Sequence, residues 1–582
     1  MKKRICAAVM SLLIAGGIVP YMNMYSPAET VSAYEAAAEK KEIDGIVYTL
    51  YSDFAEVTEC DNDVSGEVVL QSEVNGLPVE FINSRAFFDC NKIEKLTVPD
   101  SVVSIGYSAF EWCDGLTEVD LSDSIKSIGE YAFKDCRNLK TIKFPKSVMY
   151  YGRFVFDDTQ WLKDRQKEDP LVIVNGWVLD GNKCYGDVVI PDTVESIADS
   201  AFANAFSVTD ISIPESVKYI GSDAFHGTEW LSKMKRENPL VTVNGRLIDG
   251  SFCSGDVVIP DDVTTISAGV FEHCGEITSV VIPESVTCIE GGAFSDCAGL
   301  TYVKIEGAVS EWGSYVFSHC ENLETADITG AITTLGDSVF DHCISLKKVT
   351  LPETLTNLEP MAFYTCQSLE SVNIPSSVTR IGYETFYRCE NLKEISIPES
   401  LTCIEEATFT GCSSLKSVKI PENVTKLEPY AFSRCVGLKD VTLPASLTEI
   451  GEKAFWDCGS ITDLTIPDSV KTIGEEVFLE CSEEFTLHGS EGSEAQKYAA
   501  ANEIKFTAKQ SGPETGDILY GDVNSDGVVD VTDISELSIA LVDDIELDEK
   551  ASERADVNRD GIVAINDLAT LRMYLSKKID KL

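Results

Sequence analysis

The stretch Phe363-Tyr364-Thr365-Cys366-Gln367-Ser368-Leu369-Glu370-Ser371-Val372-Asn373-Ile374-Pro375-Ser376-Ser377-Val378-Thr379-Arg380-Ile381-Gly382-Tyr383-Glu384-Thr385-Phe386 decides the fold. Leu369-x-x-Val372-x-Ile374 puts apolar residues on one side and reads as a short strand. Pro375 has no N–H and ends that strand's ladder. Val378 to Ile381 reads as a second extended piece, and Gly382 as a turn that a side chain would hinder. Glu384-Thr385-Phe386-Tyr387-Arg388-Cys389 reads as one helical turn. A single coil of this kind cannot bury its own apolar stripe, but stacked coils cover one another.

Working outward, phenylalanine recurs at 87, 110, 133, 156, 202, 225, 271, 294, 317, 340, 363, 386, 409, 432, 455 and 478. The spacing is 23, or 46 where a coil lacks Phe, so positions 87 to 478 hold 17 unbroken periods and 18 slots. Leu179 and Ile248 fall on the two slots without Phe. At about 4.8 Å per coil the slots predict an arc on the order of 85 Å.

Ile374-Pro375-x-Ser377-Val378-x-x-Ile381-Gly382-x-x-x-Phe386-x-x-Cys389 resembles the BspA-type leucine-rich repeat, with copies over roughly residues 40–507. The resemblance implies a β-rich leucine-rich-repeat solenoid of 23-residue repeats, of a kind found on bacterial surfaces and often linked to adhesion. It implies no chemistry, because such a fold states only that a surface is presented.

Two regions depart from the pattern and match each other. Trp161-Leu162 through Pro170 to Gly176 is repeated as Trp230-Leu231 through Pro239 to Gly245, and each runs into Cys-x-Gly-Asp-Val-Val-Ile-Pro. The offset is 69, or 3 × 23, so they read as recoded coils rather than inserted domains. They are either local repacking or a ligand site marked by Trp161, Trp177 and Trp230. The burial of the three indoles separates these readings.

Thirteen of the 19 cysteines stand three residues after a slot, while Cys60, Cys184, Cys253, Cys288 and Cys403 fall off that ladder and Cys6 lies in the leader. Parallel thiols about 4.8 Å apart do not present the converging Cβ atoms, about 3.8 Å apart, that a disulfide needs. The ladder is therefore expected to be mostly reduced, and without Cys-x-x-Cys no structural zinc is expected. His319-Cys320 and His342-Cys343 occupy equivalent places on adjacent coils. They read as exposed loop histidines beside buried thiols, not as a metal site.

The chain of 582 residues carries a formal charge of −49 and only five histidines. This excludes unaided binding to nucleic acid or to an anionic membrane surface. Lys2, Lys3 and Arg4, the apolar run Ile5–Val19 and the small residues Val31-Ser32-Ala33 read as a secretory signal, residues 1–33. That run is short of the roughly 20 residues a membrane span needs. An exported chain without membrane insertion is expected. No Gly-x-Ser-x-Gly, His-Glu-x-x-His or phosphate loop occurs, so the solenoid is not expected to be an enzyme. Scattered acidic residues still leave a glycosidase-like carboxylate pair open. The outward strand positions are polar, with Tyr302 as the lone aromatic, and suit a protein or polysaccharide contact.

The C-terminal stretch 521–582 carries the sharpest chemistry. Asp522, Asn524, Asp526, the Val528 carbonyl, Asp530 and Asp533 fall at positions 1, 3, 5, 7, 9 and 12 of a calcium loop, with Gly527 at position 6. Further on, Asp556, Asn558, Asp560, Ile562 and Asp567 repeat it at a constant offset, with Ala564 at position 9. Ile534, Leu537 and Leu541 match Leu568, Leu571 and Leu575, so each loop feeds an amphipathic helix. Aspartate at position 12, and no evident helix before the first loop, resemble a type I dockerin over 521–582. The resemblance implies a small all-α calcium-binding domain with two Ca²⁺ on those residues and a cohesin module of a cellulosome scaffold as partner. Cohesin contacts then fall on Val531, Thr532, Ile565, Asn566 and Arg572, and Ala564 weakens the water-mediated contact usual at its position.

The expected organisation is a signal peptide (1–33), an N-terminal cap (34–86), the solenoid (87–486), a C-terminal cap (487–507), a linker (508–520) and the dockerin (521–582). The functional expectation is a secreted, extracellular, non-catalytic binding or adhesion solenoid, placed at the cell surface through a cellulosome. A carbohydrate-active enzyme of unrecognised type and a purely architectural spacer are the competing readings.

Overall fold

The computed structural model describes residues 39–508, 519–524, 528–543, 547, 549–558 and 563–576. The expected signal peptide, most of the linker, and Asp526, Asp560 and Ile562 lie outside the described residues. The chain divides into two units, Met1–Thr486 and Leu487–Leu582.

The first unit is the predicted solenoid. Strands on successive coils pair in parallel and mostly one repeat apart, as in Lys95↔Glu118↔Thr141 and Ser104↔Ser127↔Tyr150. The slot phenylalanines are buried and stack ring on ring, for example Phe87 on Phe110 at 4.8 Å and Phe386 on Phe409 at 5.6 Å. Burying a Phe ring contributes about 1.5–3 kcal/mol, so this column is a main source of cohesion between coils.

The coil that opens the sequence reading departs from expectation in three ways. No strand forms at 369–374, and the second strand shortens to Arg380–Ile381. Leu369, Val372 and Ile374 are buried all the same, so apolar burial rather than a ladder fixes the first segment. Next, Glu384 to Cys389 is not a helical turn. Glu384 and Arg388 have left-handed φ values of 53° and 54°. The amides of Glu384, Phe386 and Arg388 donate to the following coil at Glu406, Thr408 and Thr410, while those of Tyr387 and Cys389 donate back to Glu384 and Phe386. The alternation recurs coil after coil, with a left-handed residue two before and two after each Phe. Left-handed backbone costs a non-glycine residue roughly 1–2 kcal/mol, which the inter-coil bonds offset. Finally, Gly382 is not left-handed. A Cβ there would lie 2.5 Å from the Pro360 nitrogen, so close approach of the neighbouring coil requires glycine.

The cysteine ladder has a specific structural role. From Cys113 to Cys481, ladder thiols donate to the carbonyl of the slot Phe one coil earlier, where that coil has one, at 3.0–3.3 Å, as in Cys113 to Phe87 and Cys412 to Phe386. The Phe386 carbonyl also accepts the Cys389 amide at 3.2 Å, so each coil's thiol joins a bond its neighbour already makes. Every described cysteine is a free thiol.

The two variant regions hold more than recoded coils. Helices α1 (Gln160–Glu168) and α2 (Glu229–Glu237) start at Thr159 and Thr228, whose hydroxyls accept the Leu162 and Leu231 amides at 3.1 Å. An antiparallel hairpin follows each, Val172–Val174 with Trp177–Asp180 and Val241–Val243 with Arg246–Asp249. Helix α2 packs on Val208–Ser212, the last strand of its sheet, and so covers an edge. The hairpins rejoin the solenoid with Trp177↔Ser196 and Arg246↔Thr265, a step shorter than the repeat. Leu179 and Ile248 therefore do not fill the empty slots. Gly181 and Gly250 make the slot's inter-coil bonds, to Ala201 and Val270. Cys184 and Cys253 donate their amides to those glycines as ladder cysteines do to Phe, and so belong to the ladder. A Cβ on Gly181 would lie 2.3 Å from the Phe202 ring.

In the second unit, α3 (Glu494–Ala501) is capped by Ser493 and followed by the strand Lys505–Ala508. Among the described residues three further helices follow: α4 (Val531–Asp543), α5 (Glu549–Ala555) and α6 (Ile565–Leu575).

Candidate functional site

The two loop-helix halves of the second unit share one core. Val523, Leu537, Ala555, Val557 and Leu571 are buried, with Ile534, Leu541, Leu568 and Leu575 packed against them. The core matches Val523 with Val557 and Leu537 with Leu571 at one common offset, which makes the halves pseudo-symmetric.

Each loop closes on a fully buried aspartate. The Asp533 carboxylate accepts the Asn524 amide at 3.2 Å and the Asp530 amide at 2.8 Å. The Asp567 carboxylate accepts the Asn558 amide at 3.1 Å and the Ala564 amide at 2.9 Å. Asp522 is also buried, while Asn524, Asp530 and Asp556 are half-buried and Val528 and Asn558 exposed. In the first loop Asp530 returns the bond, accepting the Thr532 amide at 2.7 Å and its hydroxyl, so a reciprocal cap starts α4. Ala564 has no side chain to do this for α6. Burial raises the Asp533 carboxyl above the ordinary carboxylate range, whereas the Thr532 hydroxyl lowers that of Asp530.

Val531, Thr532, Ile565, Asn566 and Arg572 are all exposed. Val531 and Ile565 are 69% and 74% exposed at equivalent helix starts. Ile539, Val542 and Met573 are exposed on the same helices, a signal the sequence reading missed because it treated apolar helix residues as core. It also missed α5, since Glu549–Ala555 has little apolar content beyond alanine. The Arg554 Nε at its end donates to the Asp522 carbonyl at 2.7 Å and the Arg554 carbonyl accepts the Gly521 amide at 2.8 Å, tying the first loop to the entry of the second.

The family model described as BspA type leucine rich repeat region (6 copies) matches residues 72–177, 181–251, 249–370 and 356–484. The chain belongs to the BspA-type leucine-rich-repeat family. The dockerin type I domain model matches residues 520–576, so this BspA-type chain carries a type I dockerin, a family that binds calcium. No curated protein matches. Among solved structures, a leucine rich cell surface protein from Faecalibacterium prausnitzii A2-165 is 23% identical, over 75% of this chain and 94% of that one, with a TM-score of 0.27. A leucine-rich repeat protein from Bacteroides ovatus ATCC 8483 is 19% identical over 81% of this chain and 100% of that one, with a TM-score of 0.24.

The dockerin's donor set fits calcium: oxygen ligands only, with buried carboxylates that need a cation's charge. On the BspA-type solenoid the three indoles are part of the packing. Trp177 and Trp230 are 7% and 6% exposed, and Trp161 lies against Phe144 and Phe156 at 4.9 and 5.4 Å. The outward strand positions are bridged between coils, as by Lys95–Glu118 at 2.9 Å and Lys143–Asp120 at 2.8 Å, and Tyr302 donates to Asp327 at 3.1 Å. No helix among the described residues is long and apolar enough to cross a membrane.

Proposed function

We propose that this protein is a secreted, non-catalytic binding solenoid fastened to a cellulosome scaffold by calcium-dependent docking of its dockerin on a cohesin. The observation that carries this reading is the pair of matching loops, opening at Asp522 and Asp556, each closing on a buried aspartate beside an exposed apolar helix start. Two Ca²⁺ are held, one by Asp522, Asn524, Asp526, the Val528 carbonyl, Asp530 and Asp533, the other by Asp556, Asn558, Asp560, the Ile562 carbonyl and Asp567. When bound, calcium supplies charge balance and loop order; it takes part in no reaction. Val531, Thr532, Ile565, Asn566 and Arg572 face the cohesin. The solenoid presents its polar strand face to a protein or polysaccharide. Full-length protein should bind a cohesin from a panel in calcium and lose it in chelator. Val531→Asp together with Ile565→Asp should abolish binding with both ions still held. A cohesin affinity unaltered by chelator would sink the docking mechanism.

A further inference from the structure

The turn edge of the solenoid carries a group of side chains used neither by docking nor by the apolar core. His319, Asp341 and His342 each offer one donor atom, and the three atoms lie within 4.8 Å of one another. The histidines stand on adjacent coils, two residues after Phe317 and Phe340, with left-handed φ values of 55° and 54°. Their imidazoles stack 4.6 Å apart with only 8° between planes. Asp341 is 8% exposed, and its carboxylate is held from two sides. Oδ1 meets His342 Nδ1 at 2.6 Å, and Oδ2 accepts the Ser318 hydroxyl at 3.0 Å. The His319 amide donates to the Asp341 carbonyl at 2.8 Å, fixing the two coils at this point. The Tyr364 ring, 5.5 Å from that of His342, walls one side.

We propose that His319, His342 and Asp341 form a binding site for a divalent transition-metal ion of the zinc class. Two imidazoles and a carboxylate are the donors such ions take, at about 2.0–2.2 Å. Calcium prefers oxygen donors throughout, so this site and the dockerin loops select different ions. Asp341 and His342 already meet, and the exposed His319 offers a ring nitrogen within 4.8 Å of both their donor atoms. Three protein donors leave a coordination position open, which water or a carboxylate or imidazole from a bound partner fills. The ion also ties the coil of Phe317 to that of Phe340. The sequence reading took His319 and His342 for exposed loop histidines beside buried thiols. It could not see that Asp341 is buried, with its carboxylate held between His342 and Ser318.

The test is zinc titration of the full-length protein by calorimetry with its calcium loops saturated, and copper titration followed by electron paramagnetic resonance. One zinc ion is expected that His319→Gln, His342→Gln and Asp341→Asn each weaken at least tenfold, together with a copper signal showing nitrogen ligands. His226→Gln, an exposed histidine elsewhere on the solenoid, should leave both unchanged. Circular dichroism reports whether each variant is folded. His319 is exposed, so its replacement keeps the test decisive even if Asp341→Asn unfolds. Zinc binding equal in wild type and in the double histidine variant would overturn the proposal, since buried thiols or carboxylates elsewhere would then be the ligands.

Discussion

At the residue scale, buried thiols and carboxyl groups have their chemistry set by desolvation. Burial holds the Cys412 thiol well above its ordinary range and pushes Cys435 up to about 12. A thiol-specific reagent at pH 8 should therefore leave nearly all the ladder unreacted in native protein. In denaturant without reductant, anaerobically prepared protein should react at most of its cysteines; fewer than a handful would mean disulfides formed. Asp199 is buried beside Tyr150, whose hydroxyl donates at 2.8 Å, with Tyr219, Arg153 and Glu130 around it. Desolvation pushes its carboxyl up to about 7. The folded state thus keeps a proton that the unfolded chain releases near the usual carboxylate value of about 4. Stability from this group is full below about pH 4 and is lost as pH rises to about 7. Melting temperature should fall over that interval, and Asp199→Asn should flatten the fall, leaving the part due to Asp180 and Asp337, each raised to about 6. The cysteine rule of slot plus three is legible in the sequence. The membership of Cys184 and Cys253 is not, because counting by 23 cannot see a hairpin that moves the slot to Gly181 and Gly250.

At the scale of elements, the dockerin is the most legible part of the chain, since its two loops repeat one contiguous pattern that the family model matches over residues 520–576. Loop 1 has four carboxylates, Asp522, Asp526, Asp530 and Asp533, and loop 2 has three, Asp556, Asp560 and Asp567. Ligand charge tunes calcium affinity, so loop 1 should bind more tightly. Calorimetry should show that Asp533→Ala harms binding and folding more than Asp567→Ala, and that Ala564→Asp tightens the weaker ion. The turn segments were less legible. Their left-handed residues include Phe154, Met361, Thr365 and Lys453, none of which announces that conformation. Met361, Thr365 and Lys453 adopt it because their amides donate to the next coil, at Tyr383, Tyr387 and Glu475, and a neighbour about one repeat away is invisible to local propensity.

For the whole molecule, the repeat period fixes the architecture because one apolar pattern recurs and each copy needs its neighbour. The dockerin has a small core and no cysteine. Below roughly 70–80 residues a core rarely suffices alone, so calcium should contribute to its folding by mass action. Scanning calorimetry should resolve two transitions, of which chelator removes or lowers only the one belonging to the dockerin. A single transition that ignores calcium would refute this.

The phenylalanine column is interrupted twice. Rings stack from Phe87 to Phe156, from Phe202 to Phe225 and from Phe271 to Phe478, with Gly181 and Gly250 standing in the gaps. Under tension, such a chain resembles a cable spliced in two places. Pulled between its ends, as shear would pull a protein anchored on one side and holding a ligand on the other, it should yield in discrete stages. Single-molecule extension should show ruptures that part first near residues 160–180 and 229–250. Filling a gap by Gly250→Ala would not mend the splice, because the added carbon would meet the Phe271 ring at 2.1 Å.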